Sequence, residues 1–341
     1  MGIRRRQLTR ANSYDGNRYT RKENNGKKIG YDNKSWNTLE KEKVIDLIEK
    51  FRVTPVVESD VFEELADYVW DSGTCKPLFF VAIPYIIEIA SANIFEVTKD
   101  LWCYLGSWIA THEKYREGIS DEALECFDLA LVHAEERCIN QIVLADRVSD
   151  IDAQYLYACL FAFAKHRLGY MTMSSYKDDI AGTSIAVCQN GHLNDVTIYN
   201  SGIVPYEMAE CPCNVREVYI KDITIEDRKD NPWILFEKRI QQGLAIQGTS
   251  KEIVSHLKLA QEIIRHGVTP KLPMEYAFSL YGSLLYCNGS FNEGIRILHG
   301  WDEFTCLECG EKFIFASGWC EDMYSLSMVI PLPVLYRESR F

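Results

Sequence analysis

Two short stretches carry side chains spaced for metal ligation. "FTCLECGEKFIF" holds Cys306 and Cys309 in a Cys-Leu-Glu-Cys turn, with Gly310 directly after it. Such a turn aims two sulfurs at one centre, and the glycine supplies the left-handed backbone that closes it. Two sulfurs are half of a tetrahedral zinc shell, so the other half must come from elsewhere in the chain. "VCQNGHLNDV" offers Cys188 and His192, four apart across Asn190 and Gly191 and flanked by strand-like residues. A second completion pairs Cys188 and His192 with Cys211 and Cys213 of Cys-Pro-Cys in a local ribbon, which leaves Cys306 and Cys309 unexplained. A third, Cys320, supplies one ligand only. The set Cys188, His192, Cys306 and Cys309 is preferred, because it uses both turn-like half-sites and accounts for a β unit inside a helical chain. Four protein ligands close the shell, so the expected cofactor is a structural zinc rather than a catalytic one. A redox role for the Cys-x-x-Cys pair would call for a thioredoxin-like βαβ context, which the surrounding pattern lacks.

Other reactive side chains are present without a recognisable catalytic arrangement. Asp146, Asp150 and Asp152 form an acidic cluster between helices, where aspartate serves as cap and turn former. Cys159 and His166 are spaced so that they can meet across two helical turns, but nothing else supports a dyad. The chain contains no glycine-rich dinucleotide loop, P-loop, His-Glu-x-x-His or Gly-x-Ser-x-Gly. A non-enzymatic protein is therefore expected, and an enzyme on a helical scaffold, motivated only by the three aspartates, is an alternative.

The elements that must hold these residues are mainly helical. From Trp36 to Gly169 the pattern is a succession of amphipathic helices. "SDVFEELADYVWDSG" has Ser59 or Asp60 as N-cap, Phe62, Leu65, Ala66 and Val69 on one face, and Gly73 as its stop. Pro84 interrupts the apolar stretch Leu78 to Ala90. Leu101, Leu105, Trp108 and Ile109 share a face of the next helix, and Ser120 caps one that carries Leu124, Phe127, Leu131 and Ala134. A last helix runs from Asp152 to Leu168. After Gly182 the pattern changes to short β-branched runs, "TSIAVC", "DVTIYNSG" and "VREVYIK", which predict a small antiparallel unit. Helices then return: Asn231-Pro232 opens one, Thr249 with Glu252 forms a capping box, Pro273 opens another, and Ser290 with Glu293 caps the last.

The expected organisation is a basic disordered tail (1–35), an N-terminal helical array (36–182), a β/zinc unit (183–225), C-terminal helical hairpins (226–303) and a second knuckle with an extension (304–341). The fold class is mainly α, with helical hairpins stacked as in HEAT or TPR α-solenoids and a small antiparallel β insertion.

Charge is split along the chain. Residues 1–35 hold ten of the 37 Lys and Arg but three of the 49 acids, leaving 27 basic and 46 acidic residues in the remainder, a net of −19. An acidic body disfavours nucleic-acid binding and suits a basic protein partner. Nucleic-acid binding through residues 1–35 is the alternative, as in an adaptor that uses the tail and the zinc unit. The apolar stretch from Pro77 carries Glu88 and Pro84 and is expected to be a buried helix, with no membrane span. No secretory signal fits the N-terminus, and twelve cysteines without one suggest reduced thiols in a cytoplasm.

The layout resembles a group of bacterial HEAT-like helical proteins, predicted immunity proteins of polymorphic toxin systems. Their early pattern of tryptophan, small turn, apolar, proline, apolar is echoed by "YVWDSGTCKPLFFVAIPYIIEIAS". Their Leu/Ala-rich helix and two separated Cys-x-x-Cys knuckles correspond to "YLYACLFAFAKHRLGY", "CQNGH" and "CLECG". The likeness covers residues 36 to 316 and departs at Gly191-His192, where the pattern has Cys-Gly. It implies a toxin-neutralising protein with a structural zinc.

Overall fold

The computed structural model describes residues 30–318 except 32, 37–39, 72–73, 111, 146–147, 175–181, 200–201 and 206–224. The basic tail up to residue 29, Asp146, Cys211, Cys213, "VREVYIK" and Cys320 lie outside the described residues.

The described residues are mainly helical, with small antiparallel sheets. In chain order the main elements are α1 (Lys41–Val53), α2 (Asp60–Val69), β1 (Trp70–Asp71), β2 (Thr74–Cys75), α3 (Phe79–Ala92), α4 (Phe95–Ile109), α5 (Asp121–Leu144), α6 (Asp150–Phe163) and α7 (Arg167–Ser174). The β unit follows as β3 (Gly182–Val187), β4 (Leu193–Tyr199) and β5 (Gly202–Pro205). Then come α8 (Glu237–Leu244), α9 (Lys251–His266), α10 (Met274–Asn288), α11 (Phe291–Leu298) and the hairpin β6 (Glu303–Thr305) and β7 (Lys312–Ile314).

Helix starts follow side-chain chemistry. Ser59, Ser120 and Ser149 each accept a hydrogen bond from the backbone N–H three residues on, satisfying a donor that the first turn cannot. Two expected caps differ. Ser250, not Thr249, accepts from Ile253 N at the start of α9, while Thr249 donates to the Ile246 carbonyl. Ser290, whose backbone (φ −79°, ψ 64°) is not extended, makes no cap bond at α11, and its hydroxyl donates to Asp150 across the interface.

Three further expectations are corrected by packing. The turn after α2 carries the strand pair β1–β2, although no strand signal stands there. Pro84 lies inside α3 and does not end it; the helix is buried along nearly its whole length, so tertiary contacts outweigh the lost hydrogen bond. The expected helix from Asp152 to Leu168 is two helices. It stops at Phe163, where Lys165 takes a left-handed conformation (φ 60°) and His166 N bonds back to Phe161 O, the double-back closure usually given to glycine.

The helices pack against one another in pairs. α3 packs on α5 and α4 on α6, an alternation that builds two layers from consecutive hairpins, and α10 packs on α8, α9 and α11. Gln141 on α5 ties three elements together: it accepts from Trp102 Nε1 (2.7 Å) and donates to the Asn93 carbonyl (3.0 Å) at the end of α3. The two helical runs share a polar interface. Arg239 of α8 donates to the Ile142 carbonyl at the end of α5 (2.5 Å), Tyr281 to the Gln154 carbonyl (2.9 Å), and Asn288 to the Val148 carbonyl (3.1 Å). At its centre Glu135, fully buried on α5, accepts a bidentate pair from Arg228 and a third bond from Trp233 Nε1 (2.5 Å). Burial pushes the Glu135 carboxyl upward, and Arg228 and Trp233 pull it partly back.

Candidate metal centre

Both half-sites sit at the tips of β-hairpins. Val187 and Leu193 are paired across β3 and β4, so Cys188 to His192 form a five-residue loop closed by Cys188 N to His192 O (3.1 Å). Thr305 and Lys312 are paired across β6 and β7, and Cys306 N to Glu311 O (2.8 Å) closes the second loop in the same way. Each loop turns on a glycine in the left-handed region, Gly191 (φ 84°) and Gly310 (φ 73°), where a side chain would strain the backbone. The expected role of Gly310 is therefore met, and Gly191 does the same for the other tip.

The tips meet head to head. Ligand atoms of Cys188, His192, Cys306 and Cys309 all lie within 4.8 Å of one another. Cys188 Sγ is 3.5 Å from His192 Nδ1 and 3.8 Å from Cys309 Sγ, and Cys306 Sγ is 3.8 Å from His192 Nδ1. A tetrahedral ion with bonds of about 2.3 Å to sulfur and about 2.0 Å to nitrogen sets its ligand atoms about 3.5–3.8 Å apart. The Cys188–His192 and Cys188–Cys309 edges match that frame, and the Cys306–His192 edge is slightly longer than its sulfur–nitrogen edge. The four donor atoms together form a group that could hold a metal ion.

The surroundings favour the charged form at two of the three sulfurs, Cys306 and Cys309, and not at Cys188. Burial pushes Cys188 upward, opposed by the N–H groups of His192 and Asn190. Burial also acts upward on Cys306, but the N–H groups of Cys309 and Glu308 and the Asn194 amide outweigh it, and the net direction is down. Cys309, the exposed member, is lowered by the Asn190 side chain, whose Nδ2 lies 3.4 Å from its sulfur, and by the Glu311 N–H. Donors aimed at three sulfurs are what thiolate ligands require. On the far side of the imidazole, Glu308 lies 3.8 Å from His192 Nε2, leaving Nδ1 to face the sulfurs.

Asn194 was not singled out by its spacing, yet it joins the halves. It is 1% exposed; its Nδ2 donates to the His192 carbonyl (3.0 Å), and its Oδ1 accepts from Leu307 N (3.1 Å) inside the other knuckle. An asparagine within a strand pattern, where the residue is disfavoured, is the signal that could have found it.

No family model, curated protein or solved structure matches the chain.

The remaining candidates are not gathered into a site. Asp150 accepts from Ser290 (3.0 Å), and Asp152 pairs with Lys99 (2.7 Å), so the two described carboxylates serve different partners. His166 is buried with both ring nitrogens occupied: Nδ1 accepts from Gly169 N (2.9 Å) and Nε2 faces the Leu272 carbonyl (2.6 Å). Its partner in the supposed dyad, Cys159, donates instead to the Cys103 carbonyl (3.7 Å). Burial lowers the His166 pKa, which keeps it a neutral link between α7 and the loop before α10. Among the described residues no helix is long and apolar enough to cross a membrane.

Proposed function

We propose that the protein is a non-enzymatic, protein-binding helical scaffold whose two hairpin tips are clasped by one structural zinc. The convergence of Cys188, His192, Cys306 and Cys309 carries the metal part of this reading. Three thiolates and an imidazole at tetrahedral spacing suit zinc over magnesium or calcium, which take oxygen ligands. All four positions are filled by protein, so the ion's work is to join the β unit to the segment after α11 across more than a hundred residues of chain, and its binding free energy becomes folding free energy.

Metal analysis of the purified protein tests this directly. One zinc per chain is expected, lost in both Cys188→Ser and Cys306→Ser. Loss in Cys306→Ser alone, with Cys188→Ser still stoichiometric, would reject the shared site in favour of a ligand set without the first hairpin.

The partner side of the proposal rests on charge and on the resemblance to immunity proteins. A net of −19 outside residues 1–35 favours a basic partner through faster, steered encounter. A basic toxin encoded beside this chain is the partner to try first: co-purification that weakens with salt, and protection of cells expressing the toxin, are the expected outcomes.

A further inference from the structure

The four ligands are not equally sheltered. Cys188 and Cys306 are 3% and 2% exposed, whereas Cys309 is open to solvent. Cys309 is also the sulfur that an exposed amide, Asn190, holds in place at 3.4 Å, and its Sγ lies 3.8 Å from the Cys188 Sγ of the opposite hairpin. A disulfide needs about 2.05 Å, so the sulfurs must close by a little under about 2 Å. Both are borne on the tips of opposite hairpins.

We propose that Cys309 is a site of oxidation by peroxides and that Cys188 resolves it, so that loss of the ion leaves the same two hairpins joined covalently. This rests on the zinc reading above for the ion it displaces. The Cys309 thiolate attacks the O–O bond of hydrogen peroxide, taking one oxygen as sulfenic acid and expelling hydroxide. The Cys188 thiolate then attacks the sulfenic sulfur, forming the S–S bond and expelling the second oxygen as hydroxide. Two thiolates lose two electrons, and one peroxide is reduced to two hydroxides that take up protons as water. With two of four ligands withdrawn, Cys306 and His192 are left to hold the zinc, and it dissociates.

The pairing across hairpins gives the step its consequence. A disulfide inside the knuckle, Cys306 to Cys309, would open the clasp, whereas Cys188 to Cys309 exchanges an ionic staple for a covalent one. The structure would then be insensitive to oxidation at the level of the fold while its zinc is released.

The test uses the full chain. Zinc-loaded protein is treated with hydrogen peroxide, zinc release is followed with a chromogenic chelator, and disulfides are mapped by non-reducing proteolysis and mass spectrometry. One zinc released for each Cys188–Cys309 link, reversed by dithiothreitol with added zinc, is expected. A link from Cys309 to Cys306, Cys211, Cys213 or Cys320, or Cys309 overoxidised with no link, overturns the proposal, as does retention of zinc while the peroxide is consumed. Mapping the metal-free protein in parallel separates the two readings: a purified chain without zinc defeats the clasp, while the Cys188–Cys309 link is judged on its own.

Discussion

At the scale of the residue, the candidate metal cluster depends on a side chain that is not one of its four donors. Asn194 spends both ends of its amide on backbone groups of opposite hairpins, at 3.0 and 3.1 Å, in a place water does not reach. Asn194 thus links the two half-sites through contacts that involve none of the four donor atoms. Asn194→Ala keeps all four donor atoms but removes that link. Loss of such supporting contacts weakens metal affinity by roughly 10–100-fold. Competition against a chelator of known affinity should show a loss in that range; an unchanged affinity would mean that the ion alone assembles the site.

Among elements, local chemistry chose where helices begin more reliably than where they end. The serines at 59 and 120 cap as their sequence context implies, whereas α6 is capped by Ser149 and not by the aspartates expected there, and the start of α9 is displaced by one residue to Ser250. A hydroxyl caps only when its own backbone is extended, and Ser250 (φ −65°, ψ 159°) is so placed. Ser250→Ala should cost about 1 kcal/mol of stability, with Thr249→Ala costing less. Urea denaturation of the two variants ranks them, and the reverse order would restore the threonine as the cap.

For the molecule as a whole, the joint between the two helical runs turns on a buried charge. Glu135 has no exposure, and the guanidinium of Arg228, 93 residues away, opposes the upward push of burial on its carboxyl. Arg228→Met leaves the carboxylate uncompensated and should destabilise the fold at neutral pH by about 3–5 kcal/mol. The pH dependence has a definite sign. Burial already drives Glu135 upward, and without the guanidinium the folded state holds its proton more tightly than the unfolded one, whose glutamate titrates near about 4.3. A group raised on folding contributes stability below the unfolded value and loses it as pH rises through the folded one. The deficit of Arg228→Met relative to the parent should therefore shrink as pH is lowered from 7 toward 5, read as the difference in unfolding midpoints. A deficit that stays constant would show that Glu135 is not the group left stranded.

Cys-x-x-Cys-Gly, Cys-x-x-x-His, the capping serines and the 3.6-residue apolar stripes are statements about neighbours in the chain, and each could be recognised from spacing because its geometry closes within one turn or one loop. The mainly helical class and the two knuckles were legible for that reason. The break at Lys165, the survival of α3 through Pro84, the diversion of Ser290 to Asp150 and the Glu135–Arg228 pair were not, since each is decided by atoms that belong to distant parts of the chain. The candidate metal cluster lies between these cases. Its halves were written locally, but a hundred residues separate them, and only the folded packing of β3–β4 against the segment after α11 brings three sulfurs and one nitrogen to a common centre.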